Sequence, residues 1–290
     1  MQAFLHQLLS GIATGGIYAS LALALVMVYQ ATHHINFAQG ELAMFSTYIA
    51  WTLVQVGLPY WAAFVLTLVA AFGLGVIIQT VILKPVENSP FFAVVMVFIG
   101  LLVIFNSVAG WIYTYTVKTF PSPFPDRAWY GNTYLSPHEV GMMAVTVIVL
   151  ALVFAFFRFT SLGLAMRAAA QNPVSSRLVG IRVGWMLALG AGLAGAIGAV
   201  AGIMAAPILY LEPNMMSGIL LYAFAGAVLG GLDNPWGAAL GGVLVGVIEN
   251  LAGAYVVGTE LKLTVALLVI IVVLVVRPSG LFGRFVVTRV

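Results

Sequence analysis

Ionisable residues are missing from long stretches of this chain. No lysine, arginine, aspartate or glutamate occurs in residues 1–40, 42–83, 88–117, 140–157, 183–211, 213–232, 234–248 or 263–276. A water-facing surface cannot be built this way: soluble domains carry about a quarter charged residues, and this chain carries 7%. A helix crossing the hydrocarbon core needs about 20 apolar residues. The expected fold class is therefore all-α, a polytopic membrane helix bundle of about eight or nine transmembrane or part-spanning helices. The spans fall near residues 5–30, 37–56, 60–83, 91–113, 139–158, 184–209, 216–232, 236–255 and 261–277. Residues 1–290 read as a single transmembrane domain. The apolar N-terminus lacks a basic n-region and runs past the length of a signal peptide.

Basic residues orient the bundle. If residues 159–183 form a cytoplasmic segment, alternation puts Lys84, Arg158, Arg167, Arg177, Arg182, Arg277, Arg284 and Arg289 inside. Lys118, Arg127 and Lys262 then lie outside, which satisfies the positive-inside rule. This places the N-terminus outside and the C-terminus in the cytoplasm. Residues 114–138 become the long outer loop, whose prolines, Trp129 and Tyr130 suggest an ordered cap.

The segments near 37–56 and 216–232 are short and rich in small or polar residues, which leaves open full spans or broken, re-entrant ones. Asn36-Phe37-Ala38-Gln39-Gly40 opens the first and Asn214-Met215-Met216-Ser217-Gly218 the second. Both share N-x-x-x-G, and they run in opposite directions through the membrane. That is the pattern of an inverted repeat with discontinuous helices, although such a short motif also recurs by chance. Glycines at 190, 192, 195, 198 and 202, and again at 226, 230, 231, 237, 241, 242 and 246, fit close helix packing.

Chemistry-bearing motifs are scarce. The chain has no cysteine, and no phosphate loop, H-E-x-x-H or G-x-S-x-G occurs. An intramembrane ionisable group is by default a functional candidate. Glu41 reads either as a path-lining carboxylate or as a charge favoured by a helix start. Asn36, Gln39, Asn106, Ser107 and Asn214 are uncharged groups placed to line a path, or equally to tie helices together. Glu249 and Asn250 are expected to pair with Lys262. His33 and His34 point to different helix faces and suit no metal. Asp233 opens a tight turn.

In the cytoplasmic segment, residues 164–171 are alanine-rich and helical by propensity. Asn172 is a cap, Pro173 suits the first helical position, and a short helix over 174–179 ends at Gly180. It presents Val174, Leu178 and Ile181, with Arg177 and Arg182 nearby. The segment reads as a docking element or as a basic interfacial helix on anionic lipid.

Gly163-Leu164-Ala165-Met166-Arg167-Ala168-Ala169-Ala170-Gln171-Asn172-Pro173, followed by Gly180-Ile181, resembles the coupling segment of the branched-chain amino acid ABC permeases. Residues 35–41, 227–231 and 277–284 resemble the same family in order and spacing. The resemblance covers the whole chain and is closest to the LIV-type, H-like inner-membrane subunit. Two positions depart from the pattern: Gln39 stands where histidine is common, and Leu232-Asp233-Asn234-Pro235-Trp236 replaces a Gly/Ser-rich turn.

The resemblance implies an inner-membrane permease subunit of an ATP-driven bacterial importer. It would form the path for branched-chain or other hydrophobic amino acids delivered by a periplasmic binding protein. Its implied partners are a second, homologous permease subunit, making a heterodimer, and two cytoplasmic ATPase subunits. The chain itself would bind no cofactor, ATP being used by the partner subunits, and would catalyse no covalent chemistry. ATPase coupling would fall to Arg167, Asn172, Pro173, Val174, Arg177, Leu178, Gly180 and Ile181. A urea or short-chain amide permease of the same family is the alternative, followed by a stand-alone channel or carrier.

Overall fold

The structure is a computed structural model and describes residues 2–32, 34–87, 89–125 and 135–283. His33, Arg127, Trp129, Tyr130, Arg284 and Arg289 lie outside the described residues. In chain order the helices are α1 (Gln2–Thr32), α2 (Gln39–Gln55), α3 (Tyr60–Ile77), α4 (Phe91–Tyr113), α5 (Pro137–Phe159) and α6 (Ser161–Gln171). Then follow α7 (Pro173–Leu178), α8 (Val183–Leu209), α9 (Met215–Gly230), α10 (Pro235–Tyr255) and α11 (Lys262–Val276). All nine expected spans are helices. Seven of them are long and apolar enough to cross a membrane unaided.

Two helices form the axis. The most apolar stretch of α1 is 89% buried and that of α8 83%, whereas those of α5 and α11 are 11% and 17% buried. A helix that is apolar all round and buried all round is a core helix. Those apolar on the outside meet lipid or another subunit. The outer helices divide between the two axial ones. α1 packs chiefly on α10 and α9, and α8 chiefly on α3 and α2, while α1 and α8 lie against each other.

Lipid tails are as apolar as leucine, so close backbone packing rather than hydrophobic burial holds such helices together. The α1–α10 seam takes this furthest. A Cβ added to Gly242 would stand 2.5 Å from the Cα of Ala19, and one added to Gly246 would stand 2.4 Å from the Cα of Gly15. The glycine spacing seen in the sequence is thus a packing device.

The described part of residues 114–138 folds back over the bundle. Lys118 and Leu211 exchange two backbone hydrogen bonds of 2.9 Å, tying the loop to the α8–α9 connection. His138 Nε2 lies 3.0 Å from the carbonyl oxygen of Met204. Glu249, Asn250 and Lys262 meet as expected. Lys262 Nζ lies 3.5 Å from Glu249 and donates to Asn250 at 3.1 Å, and Tyr18 donates to Glu249 at 2.8 Å. The intramembrane carboxylate is thereby paired and hydrogen-bonded, as burial demands.

Candidate translocation path and coupling face

α2 and α9 have 17 and 16 residues. At 1.5 Å per residue they span about 25 Å, less than the roughly 30 Å hydrocarbon core. The start of α2 lies deep in the bundle. Gln39 is 1% exposed, and its Nε2 donates 2.9 Å to the carbonyl oxygen of Ala194, near the middle of α8. Its Oε1 accepts 3.1 Å from Asn36 Nδ2, and Asn36 Oδ1 accepts 3.0 Å from the Ala38 N–H. The non-helical residues 34–38 therefore lead from the C-terminal end of α1 to mid-bundle, where the Asn36 side chain meets the Ala38 N–H. Backbone outside a helix is tolerated at this depth only when so buried and satisfied. Gly198 makes the room: a Cβ there would stand 2.7 Å from Gln39 Nε2.

The start of α2 also faces α9. A Cβ on Gly40 would stand 3.3 Å from Leu220 Cβ and 3.4 Å from the carbonyl oxygen of Met216. Beside this contact Asn106 of α4 gathers three acceptors. Its Nδ2 lies 3.0 Å from the Pro213 carbonyl oxygen, 3.0 Å from Asn214 Oδ1 and 3.4 Å from Glu41 Oε2. Tyr115 donates to Asn106 Oδ1 at 3.4 Å. Glu41 is 4% exposed, in the first turn of α2, where the helix dipole favours an anion.

Five of the six path candidates thus fall into two linked groups around the opening of α2: Asn36 with Gln39, and Glu41 with Asn106 and Asn214. Ser107 is exposed and has no hydrogen bond to either group. Reading the sequence did not find Tyr115 or the Pro213 carbonyl. Tyr115 lies just past the end of α4 in a Tyr/Thr run that carries no helical periodicity.

The segment 159–183 joins α5 to α8. Thr160 Oγ1 caps α6, accepting 3.0 Å from the Gly163 N–H. Asn172 Oδ1 accepts 2.9 Å from the Ser175 N–H and caps α7. Gly180 has φ +86°, and the Ile181 N–H closes the helix end on the Ser176 carbonyl at 3.0 Å. α6 begins three residues before the expected 164, because Thr160 supplies the cap, and α7 ends at Leu178. Leu178 is 85% exposed, Val179 76% and Val174 68%. Arg167, Asn172, Pro173 and Arg177 are exposed as well. Ile181 is different: it is half-buried and packs against the apolar cluster that α6 and the start of α8 form.

Two of the stretches that carried the resemblance meet in space. Residues 227–231 close α9, and residues 277–283 fold across them. Leu281 and Phe282 N–H groups donate to the carbonyls of Leu229 and Gly230, at 2.8 and 3.1 Å. Asn234 caps α10 through Oδ1 and donates its Nδ2 to the Phe282 carbonyl at 3.1 Å.

A family model described as "Branched-chain amino acid transport system / permease component" matches residues 7–274. The chain belongs to this permease family. It is 30% identical to the high-affinity branched-chain amino acid transport system permease protein LivH of Escherichia coli K12, over 99% of this chain and 98% of that one. It is 31% identical, with the same coverage, to BraD of Pseudomonas aeruginosa. A probable LivH of Methanocaldococcus jannaschii is 28% identical over 91% of this chain and 87% of its own. The fold matches PsaBC of Streptococcus pneumoniae solved with a Fab. The TM-score is 0.51 at 11% identity, covering 93% of this chain and 91% of that one. The permease is thus a multi-pass membrane subunit of an ABC transporter and not an enzyme, the ATPase activity lying with separate subunits.

Proposed function

We propose that this permease forms half of the path of an ATP-driven importer for branched-chain or other hydrophobic amino acids. A binding protein would deliver substrate at the outer face. A second permease subunit would complete the path, and two cytoplasmic ATPases would drive it. The observation that carries the reading is the paired opening of α2 and α9 beside Asn106. Uncharged polar groups and one buried carboxylate stand there on broken helices within an apolar bundle. Such groups give a passing zwitterion hydrogen bonds without a deep trap. The packing supports an inverted repeat as well. Exchanging α1 with α8, α2 with α9, α3 with α10 and α4 with α11 carries most of the neighbour relations onto one another.

The test is uptake of labelled L-leucine into proteoliposomes holding both permeases, the ATPases and the binding protein. Uptake should require ATP and every component, and excess unlabelled urea should not compete. In the same vesicles Asn106→Leu should cut uptake at least about tenfold, since it leaves Glu41 without that donor in a water-poor site. Uptake by the single chain without ATP would overturn the reading, and competition by urea would favour the amide alternative.

The proposed orientation has its own check. Thr119→Cys and Ser175→Cys, both at exposed positions, should react with a membrane-impermeant maleimide from opposite faces: Thr119→Cys from outside, Ser175→Cys from the cytoplasm. Reaction of both from one face would overturn the topology.

A further inference from the structure

Two residues hold a backbone conformation that is ordinarily left to glycine. Thr114 has φ 66° and ψ 165°, and Tyr210 has φ 64° and ψ 157°. Among the described residues no other non-glycine residue has a positive φ. Both stand directly after a helix long enough to cross a membrane, Thr114 after α4 and Tyr210 after α8. Each opens a short non-helical run, and the two runs pair. The Lys118–Leu211 exchange joins residues 114–118 to residues 210–214. Burial does not fix either strained residue: Thr114 is exposed, and Tyr210 is 54% exposed. Such strain persists only where its surroundings impose it, and it gathers at ligand clamps and switch segments.

The turn at Thr114 carries Tyr115 back onto α4. The Tyr115 ring fills the space over Gly110, where a Cβ would run into it, and the hydroxyl reaches Asn106 Oδ1 at 3.4 Å. Gly110 lies about one helical turn beyond Asn106 toward the end of α4. The ring therefore covers the approach to Asn106 from that end. The other run closes on the same side chain, through the Pro213 carbonyl oxygen and Asn214 Oδ1, both 3.0 Å from Asn106 Nδ2. α2 is tied to the pair as well. Trp51 Nε1 donates to the Thr119 carbonyl at 3.2 Å, and Lys118 Nζ lies 5.2 Å from the centre of the Trp51 ring.

We infer that residues 114–118 and 210–214 form a strained clasp that shuts the outer end of the path, with Tyr115 as its gate side chain. This rests on the path and the orientation proposed above. Parting Lys118 from Leu211 would let Thr114 and Tyr210 relax into ordinary backbone. The relief offsets part of the cost of the two broken hydrogen bonds. Opening would also lift Tyr115 off α4 and free the Asn106 amide to donate to a substrate carboxylate.

The first experiment locks the clasp. Residues that exchange both backbone bonds have Cα atoms about 5.5 Å apart, within disulfide reach, and the chain has no cysteine of its own. In proteoliposomes holding the complete transporter, Lys118→Cys with Leu211→Cys should take up L-leucine when reduced. Oxidation should stop uptake and renewed reduction should restore it. The second experiment spares Leu211, which is fully buried, and so decides alone where the reduced cysteine pair is inactive. Tyr115→Ala should raise ATP hydrolysis in the absence of binding protein about tenfold, the effect of one lost contact on the closed state. The leucine carried per ATP should fall, and Tyr115→Phe, which keeps the ring, should stay near the unaltered ratio. A merely structural role would lower uptake and hydrolysis together. Full uptake by the oxidised pair, with the 118–211 disulfide confirmed by mass spectrometry, would overturn the clasp. So would an unaltered ratio of leucine to ATP in Tyr115→Ala. Absence of ATP-driven leucine uptake by the unaltered transporter would instead sink the path reading itself.

Discussion

Leu178→Asp should abolish uptake and release the ATPase subunits while leaving the permease inserted and folded. Leu178 is 85% exposed at the end of α7, so the chain itself loses almost nothing when it changes. The helix around it is separately secured, by Asn172 at its start and by the left-handed Gly180 at its end. A short helix held this way moves as a rigid piece, and its bare Val174, Leu178 and Val179 are what a partner's groove would bury. A central interface residue costs about 2 kcal/mol or more when lost, roughly thirtyfold in affinity. An aspartate adds the cost of burying an unpaired charge.

Co-elution of the ATPase with tagged permease measures the assembly, and gel filtration of the permease alone checks the fold. Gly180→Val should act in the same direction. At φ +86° nothing lies within 4 Å of its would-be Cβ, so the penalty is in the backbone and amounts to about 1–2 kcal/mol. Intact assembly and uptake in Leu178→Asp would mean that α7 is only an interfacial helix on anionic lipid.

Gly246→Leu should cost the fold itself. A Cβ there meets the Cα of Gly15 at 2.4 Å, and backbone cannot swing aside as a side chain can. α1 would have to move, and α1 is the axis on which α5, α8, α9 and α10 pack. Overpacking a core costs about 1–3 kcal/mol where side chains can adjust, and here the loss should reach or pass the upper end. The monodisperse gel-filtration peak in detergent should be lost and the melting midpoint should fall sharply. Gly73→Leu is the control, because nothing lies within 4 Å of its would-be Cβ. Equal damage from both variants would mean that any added bulk, and not the α1–α10 seam, decides stability.

The sites were legible to different depths. The helices of residues 159–183 could be read almost to the residue. Their devices are local: Asn172-Pro173 starts a helix and Gly180 stops it, each through bonds to neighbours a few positions away. Ile181 was the exception, because an apolar residue after a helix stop faces out or in according to what packs beside it. The path candidates were legible as residue types and not as an arrangement. Asn106 reaches Asn214 across 108 positions, and Gln39 reaches Ala194 across 155. No periodicity encodes such contacts.

By itself the sequence determined that this protein lives in a membrane and that about eight or nine helices cross or partly cross it. Stretches without charge have no other stable environment, and backbone in hydrocarbon must satisfy itself as helix. Glycine spacing marked the faces along which helices approach, though not their partners. Only the tertiary structure decided that α1 and α8 form the axis and that α2 opens in mid-bundle. It alone left the Gln79 Oε1 buried without a hydrogen-bond partner among the described residues. Those outcomes depend on which apolar faces meet. In a chain that is apolar nearly everywhere, that choice is made by shape complementarity between distant helices and not by any local pattern.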